Sequence, residues 1–400
     1  MQVMDWWRER GNDLSPGDHA IHLDLLSKIE GVDTAEKHFE CLPEHARNKL
    51  TYGALLHCYC KENMLEKAMT LLEKMRELNY ASTPLVYNNL MSMLVSMGKP
   101  GSVPPLVTEM KNKGILPDIH TYTCLLDSYA LLKDTKNAER VLLEMKEAGV
   151  KCDWTTYTSL ASIYVKEGLI DKANSALKEV ENMDKFRDRK AYHILLTLYS
   201  AISNKLGVYR VWESLKLTFP ETANINYQFM LQALSRLGDT DGLEKYFEEW
   251  ESSYTLYDIR LTNILIDSYL ERDMIEEAEK LREGAVKKGA EPNVGTLMKF
   301  MRFYLHKHQM KLAGKYFEEA TLKVKVNHWK ASQETVSLFL NYFEEEKDAD
   351  GAEYFCKLLK NINSLPADVY SSLSRTYVAA GMMESQIHER LKANGIEIGA

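Results

Sequence analysis

Apolar side chains along the chain fall into short helical patterns that are separated by polar turns. Within residues 84–118, apolar positions spaced by three and four predict one helix at 86–97 and a second at 102–113. Gly98 separates the two patterns and Gly114 ends the second, as glycine commonly does at helix ends. This 35-residue segment therefore predicts a helix–turn–helix hairpin.

The same pattern returns every 35 residues. Tyrosine occupies one position of six consecutive units, at Tyr52, Tyr87, Tyr122, Tyr157, Tyr192 and Tyr227. Leucine follows three residues later in five of them, at Leu55, Leu90, Leu125, Leu160 and Leu195. A fixed period of this length indicates a solenoid, in which each repeat buries its apolar face only against its neighbours. We therefore predict an all-α fold, a right-handed α-solenoid of about ten hairpins.

The regularity of the repeats divides the chain into three regions. Residues 49–293 hold seven regular repeats without an insertion. Residues 1–48 are expected to form degenerate capping repeats, with half of a hairpin at 1–13. Residues 294–400 are expected to form degenerate repeats and a C-terminal cap, because the end repeats of a solenoid must present a polar outer face.

Composition narrows the function classes. The 400 residues are 45% hydrophobic and 27% charged with a net charge of −8, and no apolar run reaches the ~18 residues of a membrane span, so no membrane partner is expected. Cysteines and histidines lack zinc-finger spacing, and no phosphate-binding glycine loop, nucleophile elbow or catalytic carboxylate pair stands out. We predict a protein that is not an enzyme and has no catalytic residue, cofactor or metal site.

The repeat motif carries a family resemblance. A repeat opens with Thr-Tyr-x-x-Leu, as at Thr121, Tyr122 and Leu125, and ends with Gly-x-x-Pro-Asp, as at residues 114–118. In this motif and its period the chain resembles the pentatricopeptide repeat (PPR) family, specifically compact plant mitochondrial members that include ribosome-associated ones. The resemblance implies binding of single-stranded RNA or rRNA on a concave face, with one base per repeat read by a few side chains.

By the same resemblance, the reading side chains are the fifth and last residues of a repeat. Four repeats carry pairs that the family's rules assign to bases, namely Asn88 with Asp118, Thr123 with Asp153, Thr158 with Asp188, and Asn263 with Asn293. Asn/Asp implies U, Thr/Asp implies G and Asn/Asn implies C, so the expected RNA is 5′-U-G-G-n-n-C-3′. Gly53 with Thr83, His193 with Ala223 and Gln228 with Asp258 are left unread.

Several features favour a different interpretation. Asn and Asp are common at helix starts and loop ends whether or not they read bases. The second residue of each repeat, which the family uses to sandwich a base, is aliphatic at Leu50, Leu85 and Ile225 but not at His120, Thr155, Lys190 and Arg260. Residues 224–258 carry two basic and seven acidic side chains, a net charge of −5, and residues 333–366 carry three and seven, a net charge of −4. Such segments oppose phosphate binding unless the acids face away from it.

Two hypotheses follow. The first is an organellar RNA-binding protein acting in mitochondrial gene expression or translation, with chloroplast as the alternative organelle; the resemblance suggests a mitochondrial ribosome component in contact with rRNA and ribosomal proteins. Its protein partners would lie nearer the C-terminal half. The second is a helical protein-interaction scaffold without sequence-specific RNA readout. A basic surface across repeats 84–118 to 154–188 would favour the first, and an acidic or apolar one the second.

Overall fold

The all-α prediction is confirmed. In the computed structural model, residues 15–183, 188–221, 223–253, 256–323, 330–365 and 369–393 are described, and these contain 22 α-helices, two short 3-10 helices and no β-strand. The helices alternate as successive hairpins. The half hairpin predicted at 1–13 lies outside the described residues.

The chain divides into two compact units, Met1–Pro220 and Glu221–Ala400. Odd-numbered helices below are the first helices of their hairpins and even-numbered helices the second. The helices of the first unit are α1 (Pro16–Glu30), α2 (Val32–Cys41), α3 (Lys49–Lys61), α4 (Leu65–Glu77), α5 (Pro84–Ser96), α6 (Val103–Asn112), α7 (Ile119–Leu132), α8 (Thr135–Glu147), α9 (Trp154–Lys166), α10 (Ile170–Glu181), α11 (Arg189–Ala201) and α12 (Lys205–Thr218).

The second unit continues the same alternation. Its helices are α13 (Asn224–Leu237), α14 (Thr240–Ser253), α15 (Ile259–Glu271), α16 (Ile275–Lys287), α17 (Val294–His306), α18 (Met310–Lys323), α19 (Gln333–Glu345), α20 (Ala349–Asn361), α21 (Val369–Ala379) and α22 (Glu384–Ala393). The repeat at 294–332 is four residues longer than the regular repeats, and of the residues 324–330 predicted to hold the addition only Lys330 lies within the described residues.

The 35-residue lattice forms the core. The lattice leucines are at most 5% exposed, and five of the six lattice tyrosines are equally buried, with Tyr157 only half-buried. Three tyrosine hydroxyls donate to a glutamate 22 residues later on the second helix of the same hairpin: Tyr87 to Glu109, Tyr122 to Glu144 and Tyr227 to Glu249. Each hairpin of this kind therefore closes with an apolar seam and one polar link.

The turn inside each hairpin is also periodic. One residue with positive φ stands fifteenth in each of eight successive repeats: Asn63, Gly98, Lys133, Gly168, Ser203, Gly238, Asp273 and His308. Only three of these are glycine, although the left-handed region costs other residues roughly 1–2 kcal/mol. The packing of the hairpin therefore imposes this turn, and glycine is not required for it.

First helices pack side by side in each unit. In the first unit α3, α5, α7, α9 and α11 contact one another in order, and in the second α13 contacts α15, which contacts α17. We call the surface that these helices form in each unit the first-helix face of that unit. Because each helix begins just after the last residue of the preceding repeat, this packing brings the fifth residue of one repeat close to that last residue.

Candidate nucleic-acid interface

The last residue of four repeats caps the helix that follows it. The side chains of Asp118, Asp153, Asp188 and Asn293 accept hydrogen bonds from backbone N–H groups at the starts of α7, α9, α11 and α17. A residue of this type satisfies backbone donors that the helix itself leaves free. The capping geometry holds each of these side chains at the edge of the first-helix face.

Asn88 and Asp118 are bonded to each other. Nδ2 of Asn88 lies 3.0 and 3.2 Å from the two carboxylate oxygens of Asp118, and Asn88 is only 8% exposed. Oδ1 of Asp118 also accepts from the backbone N–H of Thr121 at 2.8 Å, and the hydroxyl of Thr121 donates to Oδ1 of Asn88 at 2.8 Å. Burial opposes the charge of Asp118, but the hydrogen bonds from Thr121 and Asn88 outweigh it and lower the pKa of this carboxyl. Asp118 is therefore an acceptor at neutral pH.

Asn263 and Asn293 reproduce this arrangement in the second unit. Nδ2 of Asn263 faces Oδ1 of Asn293 at 3.4 Å, and the hydroxyl of Thr296 donates to Oδ1 of Asn263 at 2.7 Å. The backbone N–H of Thr296 donates to Oδ1 of Asn293 at 2.9 Å, which caps α17. Asn263 has the same exposure as Asn88, 8%. Two of the four predicted pairs thus share one hydrogen-bonding pattern.

The two threonine pairs are built differently. The Thr123 hydroxyl donates to the carbonyl of Ile119 at 2.9 Å, and the Thr158 hydroxyl to the carbonyl of Thr155 at 3.1 Å. Among the described residues, no hydrogen bond joins Thr123 to Asp153 or Thr158 to Asp188. Because each hydroxyl proton is used by the backbone, each threonine has only lone pairs to offer to a ligand.

These bonds determine which atoms remain for a base. Asn88 keeps one N–H donor beside an acceptor oxygen of Asp118, while Asn263 and Asn293 each keep an N–H donor. A threonine with its aspartate leaves two acceptors. Guanine has two adjacent donors on its Watson–Crick edge, cytosine has two adjacent acceptors, and uracil alternates acceptor and donor. The free atoms therefore complement G at the threonine pairs, C at the Asn263 pair and the alternating edge of U at the Asn88 pair.

The second residues of the repeats lie on the surface, where a base could meet them. Leu50 and Leu85 are 48% and 65% exposed, a large fraction for leucine. Arg260 is different, because its guanidinium binds the carboxylate of Asp258 at 2.6 to 3.1 Å. Asp258 is the last residue of repeat 224–258. The ion pair therefore engages one member of the pair Gln228 with Asp258, which the family's rules leave unread.

A groove of about 380 Å³ runs across four first helices of the first unit. It is lined by residues of α5, α7, α9 and α11, including Asp127, Thr158, Ser159 and Lys166. Burial raises the pKa of Asp127, while a hydrogen bond from Ser159 at 2.7 Å and the charge of Lys166 act against the rise. The groove thus places one predicted reader, Thr158, on the same surface as a carboxylate that sequence reasoning missed.

The acids of residues 224–258 lie mostly on a second helix. Five of the seven lie on the second helix α14: Asp241, Glu244, Glu248, Glu249 and Glu251. Three of them bind other side chains, since Glu244 accepts from Tyr269, Glu249 from Tyr227, and Glu251 pairs with Lys288 at 2.5 Å. At least these three carboxylates are therefore engaged by side chains of the second unit itself.

The structure adds two residues to the site that the sequence did not indicate. Thr121 and Thr296 stand third in their repeats and are fully buried, at 0% exposure. Their hydroxyls contact the reading asparagines of the preceding repeats. The sequence does contain a pattern that could have indicated them. Threonine follows each reading asparagine by 33 residues, whereas leucine occupies that position after the unread Gln228.

Other kinds of site find no support in the described part of the chain. It contains no group of three or more His, Cys, Asp or Glu side chains placed to hold a metal ion. None of its helices combines the length and the apolar character needed to cross a lipid bilayer. The absence of catalytic activity stays a prediction.

Comparison with known proteins identifies the family. Models of the pentatricopeptide repeat match residues 45–76, 105–183 and 261–289. A mitochondrial pentatricopeptide repeat-containing protein of Arabidopsis thaliana is 43% identical over 99% of this chain and 75% of its own length. The chain belongs to the pentatricopeptide repeat family. A second mitochondrial relative from Arabidopsis thaliana is 42% identical over 99% of this chain and 79% of its own length, and these names confirm the mitochondrial prediction.

Two further likenesses are informative. The large ribosomal subunit protein mL101 of Arabidopsis thaliana is 39% identical over 100% of this chain and 82% of its own length. The crystal structure of the maize pentatricopeptide repeat protein PPR10 superposes with a TM-score of 0.58 at 17% identity, covering 99% of this chain and 62% of the maize chain. Its complex with an 18-nucleotide psaJ RNA element superposes with a TM-score of 0.55 at 16% identity. At this identity the likeness shows the fold, and it confirms the predicted α-solenoid.

Proposed function

We propose that this protein binds single-stranded RNA on its first-helix face and acts in mitochondrial gene expression. The observation that carries the proposal is the shared bonding pattern of Asn88 with Asp118 and Asn263 with Asn293. In both, a buried amide is fixed at the edge of the first-helix face with an N–H group left for a ligand. Together with the pairs Thr123/Asp153 and Thr158/Asp188, they would read U-G-G and, two bases later, C.

The proposed mechanism is passive. A row of fixed side chains pairs with base edges, and a strand held in this way is kept from forming other structures. Bases would stack against exposed second residues such as Leu50 and Leu85, a contact that contributes roughly 1–3 kcal/mol per base. No step of this mechanism makes or breaks a covalent bond, so we propose that the protein is not an enzyme.

We further propose that the two units divide their partners. The three consecutive readable pairs lie at 88–188 within the first unit, so RNA would bind chiefly there. The second unit carries acid-rich segments, which would suit basic protein partners better than phosphate. The 39% identity to mL101 supports a ribosomal setting, with rRNA at the first unit and ribosomal proteins at the second.

Binding of defined RNAs tests the first proposal. Wild-type protein should bind a UGG-containing RNA more tightly than a scrambled RNA of equal length at the same salt concentration. Asn88→Ala and Thr123→Ala should each weaken that binding by on the order of 1–3 kcal/mol, as loss of a base contact does. Thr108→Ala is a suitable control, because this exposed threonine lies on the second helix α6 and donates only to Pro104 of its own helix.

The alternative scaffold function predicts a different result. Equal affinity of the wild type for the two RNAs would remove base reading from the account. Capture of ribosomal proteins from mitochondrial extract that persists after nuclease treatment would then favour the scaffold. RNA crosslinks denser in 224–366 than in 84–188 would contradict the division between the two units.

A further inference from the structure

The two asparagine readers are each held by a hydroxyl from the next repeat. Oγ1 of Thr121 lies 2.8 Å from Oδ1 of Asn88, and Oγ1 of Thr296 lies 2.7 Å from Oδ1 of Asn263. The asparagines are 175 residues apart in sequence, and both threonines are third in the repeat that follows. The same contact therefore occurs independently in both units.

The surrounding bonds fix the direction of each contact. Asp118 carries a carboxylate, which can only accept, so the atom of Asn88 that faces it must be Nδ2. The opposite atom is then the amide oxygen, which accepts from the Thr121 hydroxyl at 2.8 Å; this hydroxyl also lies 3.0 Å from Oδ1 of Asp118. In the second unit, the backbone N–H of Thr296 identifies the facing atom of Asn293 as oxygen, and the same reasoning follows for Asn263.

The other repeats provide a natural comparison. Leu261 occupies the third position after Gln228 and has no hydroxyl, and Oε1 of Gln228 is buried without a hydrogen-bond partner among the described residues. Threonine readers do not need this contact, since Thr158 satisfies its own hydroxyl on Thr155 and is followed at the third position by Ala191. Among the described residues, the amide oxygens of Asn88 and Asn263 thus have a hydroxyl partner that Gln228 lacks, while the threonine reader Thr158 satisfies its own hydroxyl.

We propose that Thr121 and Thr296 are positioning residues that hold the amide of the reading asparagine in place, so that an N–H group meets the base. With the hydroxyl present, the amide oxygen is held inside and an N–H group is offered. Without it, a buried acceptor would lack a donor, which is unfavourable and loosens the amide from its position beside the cap residue. The N–H donor would then no longer be fixed opposite the base. This inference rests on the proposed RNA-reading function.

A matched pair of variants tests the inference. Thr121→Val keeps the shape of the side chain and removes the hydroxyl that Asn88 needs. Thr156→Val removes the equivalent hydroxyl of the next repeat, which is also 0% exposed and bonds to the cap residue Asp153 at 3.0 Å but to no reading asparagine. Thr121→Ser restores the hydroxyl and serves as the rescue variant.

The measurement is the ratio of dissociation constants for two RNAs that differ only by U or C at the base facing Asn88, at one salt concentration. Thr121→Val should reduce the preference for U by about tenfold, within the range expected for one base contact. Thr156→Val should keep that preference, although its free energy of unfolding in urea should fall about as much as that of Thr121→Val. Thr121→Ser should recover the preference for U. The salt dependence of binding should be the same in all variants, because phosphate contacts are untouched.

The possible failures are distinguishable. If the wild type shows no preference at this base, the proposed function fails and the inference fails with it. If the wild type discriminates and Thr121→Val discriminates equally well, base reading stands and the positioning role is overturned. An equal loss in Thr121→Val and Thr156→Val would assign the effect to helix capping and would also overturn it.

Discussion

Replacing Asp118 by asparagine should change the base that the first reading pair prefers. Asp118→Asn gives the repeat at 84–118 the same pair of side chains that the repeat at 259–293 already has. The structure contains the template for the result, because Asn293 caps α17 and faces Asn263 in the position that Asp118 takes toward Asn88. We expect the preferred base to change from U to C.

The expected magnitudes follow from the two sites. Oδ1 of Asp118 accepts from its helix at 2.8 Å and Oδ1 of Asn293 at 2.9 Å, so the cap should survive, and Asn and Asp are equally good caps. Loss of the charge at the start of α7 should lower the free energy of unfolding by about 0.3–1 kcal/mol. A base contact discriminates by roughly 1–3 kcal/mol. The ratio of affinities for U and C should therefore fall from between about 5 and 150 to below one.

Fluorescence anisotropy with two labelled RNAs, differing only by U or C at this base, measures that ratio. Asp134→Asn is the matched control, since Asp134 caps the second helix α8 by the same kind of bond, to the backbone N–H of Asn137 at 3.1 Å. It makes the same change in net charge away from the first-helix face. A folded Asp118→Asn protein that still prefers U, or an equal change in both variants, would refute the reasoning.

Three more outcomes are expected. Asp127→Asn should strengthen binding of UGG-containing RNA at fixed salt, because it removes a carboxylate from the groove on the first-helix face; unchanged or weaker binding would show that this groove does not meet phosphate. Gly207→Ala should lower the free energy of unfolding in urea by about 1–3 kcal/mol, because the added Cβ would lie 2.6 Å from the Tyr199 ring. Gly53→Ala should instead raise that free energy by up to about 1 kcal/mol, because nothing lies within 4 Å of its added Cβ. The pKa of Asp118 is lowered by folding, so its stabilising contribution is present above the ordinary value of about 3.9 and is lost as the pH falls through the lowered value; Asp118→Asn should flatten this acid limb of stability against pH, and an unchanged limb would count against the shift.

The sequence alone predicted the features that depend on the 35-residue period of the repeats. The helices predicted at 86–97 and 102–113 are found at Pro84–Ser96 and Val103–Asn112, and the lattice of tyrosines and leucines is the core. Burial of an apolar stripe needs only the right spacing, which a sequence displays directly. Boundaries shift by one or two residues because capping and local turns settle them.

Features that depend on a particular hydrogen bond were not predictable in this way. Nothing in the residue type of Lys133 or His308 indicates a left-handed turn, which the packing of the hairpin imposes. The pairing of Arg260 with Asp258 was missed, because residue types alone do not show which carboxylate a guanidinium binds. The hydroxyl of Thr121 was missed because it acts on a residue 33 positions away, in the preceding repeat.

The structure also bears on whether these polar residues serve only as helix caps. Asp118 is a cap, as the alternative interpretation expects, but the cap uses Oδ1, and Oδ2 accepts only from Asn88 among the described residues. Capping and reading are therefore compatible in one carboxylate. Asn88 cannot be explained as a cap, because it lies within α5, where asparagine is a poor helix former. Its burial, its contact with Asp118 and the orienting hydroxyl serve no need of α5 itself, and they are repeated at Asn263. A role at the surface between repeats accounts for all three.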